Sequence, residues 1–256
     1  STTASTAIIM GMGTAMTMDM ITATGIPIRI PTTPKPDAGA VMFDYVRDPA
    51  EIYRRSFAAI EAAADLTRFQ GAERALAVRL IHACGMAEIA GDLVMSNGPA
   101  QAGAAALQAG APVLVDAEMV ARGVISSRLP KSNRIICTLN DDGVRDRAAA
   151  LGTTRSAAAV DAWAPHLGGA VVAIGNAPTA LFRLLELLAD GAPRPAVILG
   201  FPVGFIGAVE SKQALIDHAG DIPFATLPGQ RGGSALAAAA VNALCPAPEQ
   251  PEAQNG

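Results

Sequence analysis

His82 is the residue of this chain best suited to moving a proton. It stands in Leu80-Ile81-His82-Ala83-Cys84-Gly85-Met86, with no acidic neighbour before Glu88. A neutral imidazole in apolar surroundings exchanges a proton near physiological pH; a hydrogen-bonded core histidine is the competing reading. Gly85, four residues before Ile89 on the same stripe, reads as interior to the helix and calls for a close approach of ligand or backbone. Ser56 shares a stripe with Ile52, Ala59 and Ile60, either as a substrate hydroxyl or as a satisfied core one. Arg155, in Thr153-Thr154-Arg155-Ser156, falls in the first turn of a helix, where a cation opposes the helix dipole. A carboxylate ligand held in a bidentate fork reverses that cost, and so does a salt bridge to a neighbouring acid. Arg231 repeats the theme in a Gly-rich loop. Asn176, in Asn176-Ala177-Pro178-Thr179, reads as an N-cap whose turn presents free N–H donors to an anion, or as an ordinary capped helix. Asp116, after Pro112-Val113-Leu114-Val115, reads as the N-cap of a helix beginning at Ala117.

Other chemistries lack their residues. His82, His166 and His218 form no HxxxH pair, and Cys84, Cys137 and Cys245 form no CxxC, so a zinc site is not expected. The odd, widely spaced cysteines read as reduced structural thiols of a cytoplasmic protein. Neither GxGxxG nor the P-loop spacing occurs, which disfavours a dinucleotide or nucleoside triphosphate.

These residues need elements to hold them. Asp48 as N-cap, Pro49 at the first helical position and Glu51 closing a capping box predict a helix over 49–65. A second helix is expected over 72–90. Strands are expected at 93–95, 112–115, 134–139, 170–174, 196–199 and 224–227. Helices are expected at 98–109, 117–122, 143–151, 155–163, 177–189, 207–218 and 234–244. Such alternation predicts an α/β fold: one domain, three layers α/β/α, with a mainly parallel central sheet. Ligands of such sheets bind at the carboxyl ends of the strands.

Residues 1–41 are rich in Thr and Met and end in a proline series that cannot be helical. They read as a flexible extension foreign to the domain, the domain itself as 42–246, and 247–256 as a disordered tail. With 51% hydrophobic residues, 4% aromatics and a net charge of -4, the chain can bury a large core and is poorly suited to nucleic acid. No apolar run has the length of a membrane span. The twin arginines Arg54-Arg55 are followed by Glu61 and Asp65 where an export signal needs an uncharged stretch. The residues alone thus reach an α/β protein for an apolar, carboxylate-bearing small molecule.

A family resemblance goes further. Tyr53-Arg54-Arg55-Ser56-Phe57, His82-Ala83-Cys84-Gly85-Met86, Asp116-Ala117-Glu118-Met119-Val120, Thr154-Arg155-Ser156-Ala157, Ile174-Gly175-Asn176-Ala177-Pro178-Thr179-Ala180-Leu181, Gly200-Phe201-Pro202-Val203-Gly204-Phe205 and Glu210-Ser211-Lys212 resemble, in order, the precorrin-8X methylmutase family. The resemblance implies an isomerase of cobalamin biosynthesis that moves the C11 methyl of precorrin-8X to C12, giving hydrogenobyrinate. It implies no nicotinamide, flavin or metal cofactor, a homodimer, and hand-over of product to neighbouring pathway enzymes. His82 is carried over as the proton donor/acceptor, Ser56 as a substrate contact and Arg155, with Thr154, as a carboxylate grip. Asp116, Asn176 and Thr179 are carried over as substrate contacts by their position at strand ends. The cobalt-containing precorrin-8 is the alternative substrate implied, and a non-catalytic corrinoid carrier the alternative role.

Overall fold

The computed structural model describes residues 43–245 together with the two short strands β1 (Asp19–Ile21) and β2 (Pro27–Arg29). The chain divides after Arg47 into two compact units. In the first, β1 and β2 pair antiparallel, with Asp19 opposite Arg29. The expectations for the rest of residues 1–41 and for the tail lie outside the described residues.

The second unit opens with α1 (Pro49–Ala63), α2 (Gly71–Cys84), the single turn α3 (Ile89–Asp92) and β3 (Val94–Ser96). Then come α4 (Pro99–Gln108), β4 (Val113–Val115), α5 (Glu118–Gly123), β5 (Ile135–Ile136), α6 (Val144–Ala150) and α7 (Arg155–Val160). β6 (Val171–Ile174), α8 (Pro178–Ala189), β7 (Val197–Gly200), α9 (Ala208–His218), β8 (Phe224–Thr226) and α10 (Ser234–Ala243) complete it.

The six strands lie in the order β3-β8-β7-β6-β4-β5, parallel except for β3 at one edge, which runs against β8. The fully buried runs Val113–Val115, Val171–Ile174 and Val197–Gly200 are what a sheet covered on both faces requires. One face carries Leu76, Leu80, Leu107, Val120 and Leu236, from α2, α4, α5 and α10. The other carries Val160, Leu181, Leu184 and Leu215, from α7, α8 and α9. Two glycines let the layers close. A Cβ on Gly175 would stand 2.7 Å from that of Ala237, and one on Gly200 would stand 2.7 Å from the side chain of Leu215. The expected three-layer α/β/α architecture with a mainly parallel sheet is therefore the observed one.

Two local expectations are corrected. The second helix stops at Cys84 because Gly85 takes a left-handed conformation at φ 71°, its N–H returning to Ile81 O at 2.8 Å. Among the described residues nothing lies within 4 Å of a Cβ built there, so the glycine serves the backbone turn. The capping box of α1 does not form. Asp48 accepts from the N–H of Ala50 at 3.1 Å, while Glu51 turns along the helix to Arg54 and Arg55. Those guanidiniums hold its carboxyl down to about 2.

Candidate active site

α1 buries none of its residues fully. It leans on α2 through Phe57, Ile60 and the following Ala64. The contact places Ser56 Oγ 2.9 Å from His82 Nδ1. Tyr53 and Phe57 stack at 4.2 Å, and the His82 ring lies 5.3 Å from Phe57 and 6.0 Å from Tyr53. His82 is exposed and so is not the core histidine of the competing reading. It occupies the last turn of α2, where the helix dipole favours a cation. Partial burial and the positive charge of Arg79, one turn earlier, act the other way and lower its proton affinity. Beside it opens a cavity of about 260 Å³ lined by Ser56, Ala59, Ile60, Ile81, His82 and Gly85. One ring nitrogen is thus engaged by a hydroxyl. The other, Nε2, is free of protein partners among the described residues, which suits donation to or acceptance from a bound molecule.

A second group forms at the N-terminal ends of α7 and α8. Thr154 caps α7, its hydroxyl accepting from Ala157 N–H at 3.1 Å and meeting Thr179 Oγ1 at 2.8 Å. Arg155 follows in the first turn, exposed, and forms no ion pair among the described residues. The salt-bridge reading of this arginine is therefore not what the structure contains. Thr154, Arg155 and Thr179 come together; no hydrogen bond or ion pair joins them to Ser56 and His82.

Asp116 and Asn176 take other roles than the N-caps expected. The N-cap residues of α5 and α8 are Ala117 and Ala177, with Pro178 at the start of α8. Asp116 lies buried where β4 and β6 diverge. Its carboxylate accepts from the N–H groups of Gly175 at 2.8 Å, Asn176 at 2.9 Å and Ala177 at 2.7 Å. The anion expected at this turn is thus supplied by the chain itself. Open sheets bind ligands at such a switch point, and here a side chain fills it. Burial pushes the Asp116 carboxyl up, against the three N–H bonds that hold it charged.

Arg231, the loop cation noted in the sequence, is paired with Asp92, a long-range contact that spacing cannot reveal. Lys212 and Arg79 escaped the sequence reading. Lys212 is wholly buried, its Nζ donating to Arg231 O at 2.7 Å, and burial brings its amine down to about 8. Arg79 stands 5.4 Å over both the Tyr53 and the Phe57 rings; its position three residues before His82 was the available signal. The three cysteines are free, and burial pushes the Cys137 thiol up to about 11, which makes it a poor nucleophile.

A family model described as precorrin-8X methylmutase matches residues 51–247. The chain is 58% identical over 203 residues to the precorrin-8X methylmutase of Pseudomonas aeruginosa, covering 79% of this chain and 98% of that one. It is 57% identical to the protein of that name from a Sinorhizobium species, covering 79% and 96%. Among solved structures, a precorrin-8X methyl mutase from Thermus thermophilus superposes with a TM-score of 0.70 at 39% identity, covering 76% of this chain and 94% of that one. The match runs from the first turn of α1 through α10, so the chain belongs to the precorrin-8X methylmutase family.

Proposed function

We propose that this chain is an isomerase of corrin biosynthesis that moves the C11 methyl of precorrin-8X to C12, giving hydrogenobyrinate. The single observation that carries the reading is the Ser56–His82 pair at the mouth of a cavity, in a chain of this family. The reaction breaks one carbon–carbon bond and makes another within one molecule, so it needs no co-reactant. His82 supplies a proton from Nε2 to a ring nitrogen, which draws electron density from the migrating centre, and recovers it when the product leaves. Ser56 holds the imidazole by Nδ1, fixing the direction of Nε2. Thr154, Arg155 and Thr179 form a second polar group for the substrate's carboxylate arms, Arg155 being free to form a fork. Asp116 acts through the turn 175–177 that it holds, which aims Asn176 and Thr179.

A cavity of about 260 Å³ is smaller than the pockets of roughly 300–1,000 Å³ that enclose ligands of drug size. A macrocycle would lie across the opening, and a second copy of the chain covering it accounts for the exposed face of α1. We therefore read the protein as a homodimer. Free cysteines fit a reducing compartment, the cytoplasm. Among the described residues no helix is long and apolar enough to cross a membrane.

Incubation with precorrin-8X, followed by absorption spectroscopy, tests the proposal. His82→Ala is expected to slow rearrangement by about 10²–10⁴-fold, the usual contribution of a general acid. Hydrogenobyrinate affinity is expected to change by less than about threefold, because the macrocycle face and carboxylate grips remain. Turnover near that of the wild type would overturn the role of His82. Binding without any rearrangement by the wild type would make the chain a carrier. The names of the two close relatives support the metal-free substrate; faster conversion of cobalt-precorrin-8 would reverse that choice.

A further inference from the structure

We propose that Arg79 binds one carboxylate arm of the macrocycle and, through that ion pair, ties the charge of His82 to occupancy of the site. The inference rests on the proposed function, and it assigns a specificity-determining residue for that reaction.

Arg79 is half-buried and, among the described residues, forms neither an ion pair nor a hydrogen bond. Its neighbour in the same cavity is satisfied: Arg74 is paired with Glu61. The guanidinium instead lies 5.4 Å from the centroids of Tyr53 and Phe57. The same two rings also pack against His82, at 6.0 and 5.3 Å, so one aromatic pair contacts both groups. A cavity of about 410 Å³ opens beside it, lined by Tyr53, Phe57, Arg74, Val78 and Arg79 together with Glu61. A stacked guanidinium keeps its N–H edges free, and those edges match a carboxylate in two parallel hydrogen bonds. The site therefore offers an apolar wall for a ring edge and a cation for an acidic arm, one helical turn from the proton-transfer residue.

The electrostatic consequence follows from the same placement. Charged or titratable groups that face His82 from the packed elements are Tyr53 on α1 and Arg79 on α2, with Ser56 as its hydrogen-bond partner. With the site empty, the charge of Arg79 opposes protonation of His82. A carboxylate docked on Arg79 neutralises that opposition, so the imidazole takes up a proton as the substrate is seated.

Calorimetry of hydrogenobyrinate binding to the full chain, in buffers of differing ionisation enthalpy, reads affinity and proton uptake together. Wild type is expected to take up protons on binding near the pH where free His82 titrates. Arg79→Gln should bind about tenfold more weakly, and its uptake should fall, because His82 is already more protonated when free. Its kcat/KM profile should show the His82 limb displaced to higher pH. Arg79→Lys should retain the uptake while losing the affinity of the fork. Wild-type affinity, uptake and pH profile in Arg79→Gln would overturn the proposal and leave Arg79 as packing for the rings. If that variant does not fold, Arg79→Met, which keeps the length of the side chain and removes the charge, decides: wild-type affinity and proton uptake overturn the ion pair. Because binding is read apart from turnover, a wild type that binds hydrogenobyrinate without rearranging precorrin-8X sinks the proposed function alone. Failure of the wild type to bind sinks both.

Discussion

Ser56 and His82 are 26 positions apart, and each is ordinary in its own segment; at 2.9 Å they become a hydroxyl-held imidazole. Lys212 is the reverse case, a residue of no evident chemistry in sequence whose ammonium is enclosed with one acceptor, Arg231 O. Its folded amine is lowered to about 8 from an ordinary value of 10.5, so the uncharged form is the one favoured by folding. For such a group the unfolded chain binds more protons between those two values, and stability must rise with pH across that window. Urea denaturation between pH 8 and 10.5 should therefore show a gain from Lys212, on the order of 3 kcal/mol at full span. Lys212→Met should remove that gain, and the difference between the two proteins cancels the opposing titration of buried thiols. A wild-type curve parallel to that of Lys212→Met would mean that water or a neighbouring acceptor keeps the ammonium charged.

At the scale of elements, the end of α2 matters most. His82 lies in the last turn, and Gly85 ends it with φ at 71°. An L side chain in that region costs about 1–2 kcal/mol, and open space around the position means that no packing cost is added. Gly85→Ala should lower unfolding free energy by about that amount, and Gly85→Asn by less, since asparagine tolerates the left-handed region. Equal losses of more than about 4 kcal/mol in both would point to a close contact, the reason expected from a glycine inside a helix. The turn after β6 illustrates the same dependence on neighbours. Its three N–H groups looked available from local sequence, yet Asp116, 59 positions upstream of Gly175, occupies them.

At the scale of the molecule, the family match begins at residue 51, two residues after α1 starts at Pro49 under its own Asp48 cap. We propose that residues 1–41 are dispensable. Deleting them should leave the melting temperature, the association state and turnover unchanged. Product release clearly faster than from the full chain would instead make the extension part of the site, a lid over an apolar ligand.

The order of helices and strands was legible because burial on both faces writes itself as runs such as Val171–Ile174, and caps such as Asp48 mark where helices begin. Single residues fit for chemistry were legible too, His82 by its apolar setting and Arg155 by its discord with a helix dipole. Those signals are local, carried by near neighbours in the chain. What occupies a given hydrogen bond is decided by residues far away along it. The tertiary structure alone set Ser56 on His82 and Thr154 on Thr179, spent Asp116 on the turn at 175–177, paired Arg231 with Asp92, and set Arg79 over two aromatic rings. Spacing determines which face a side chain takes, and only packing determines what waits there.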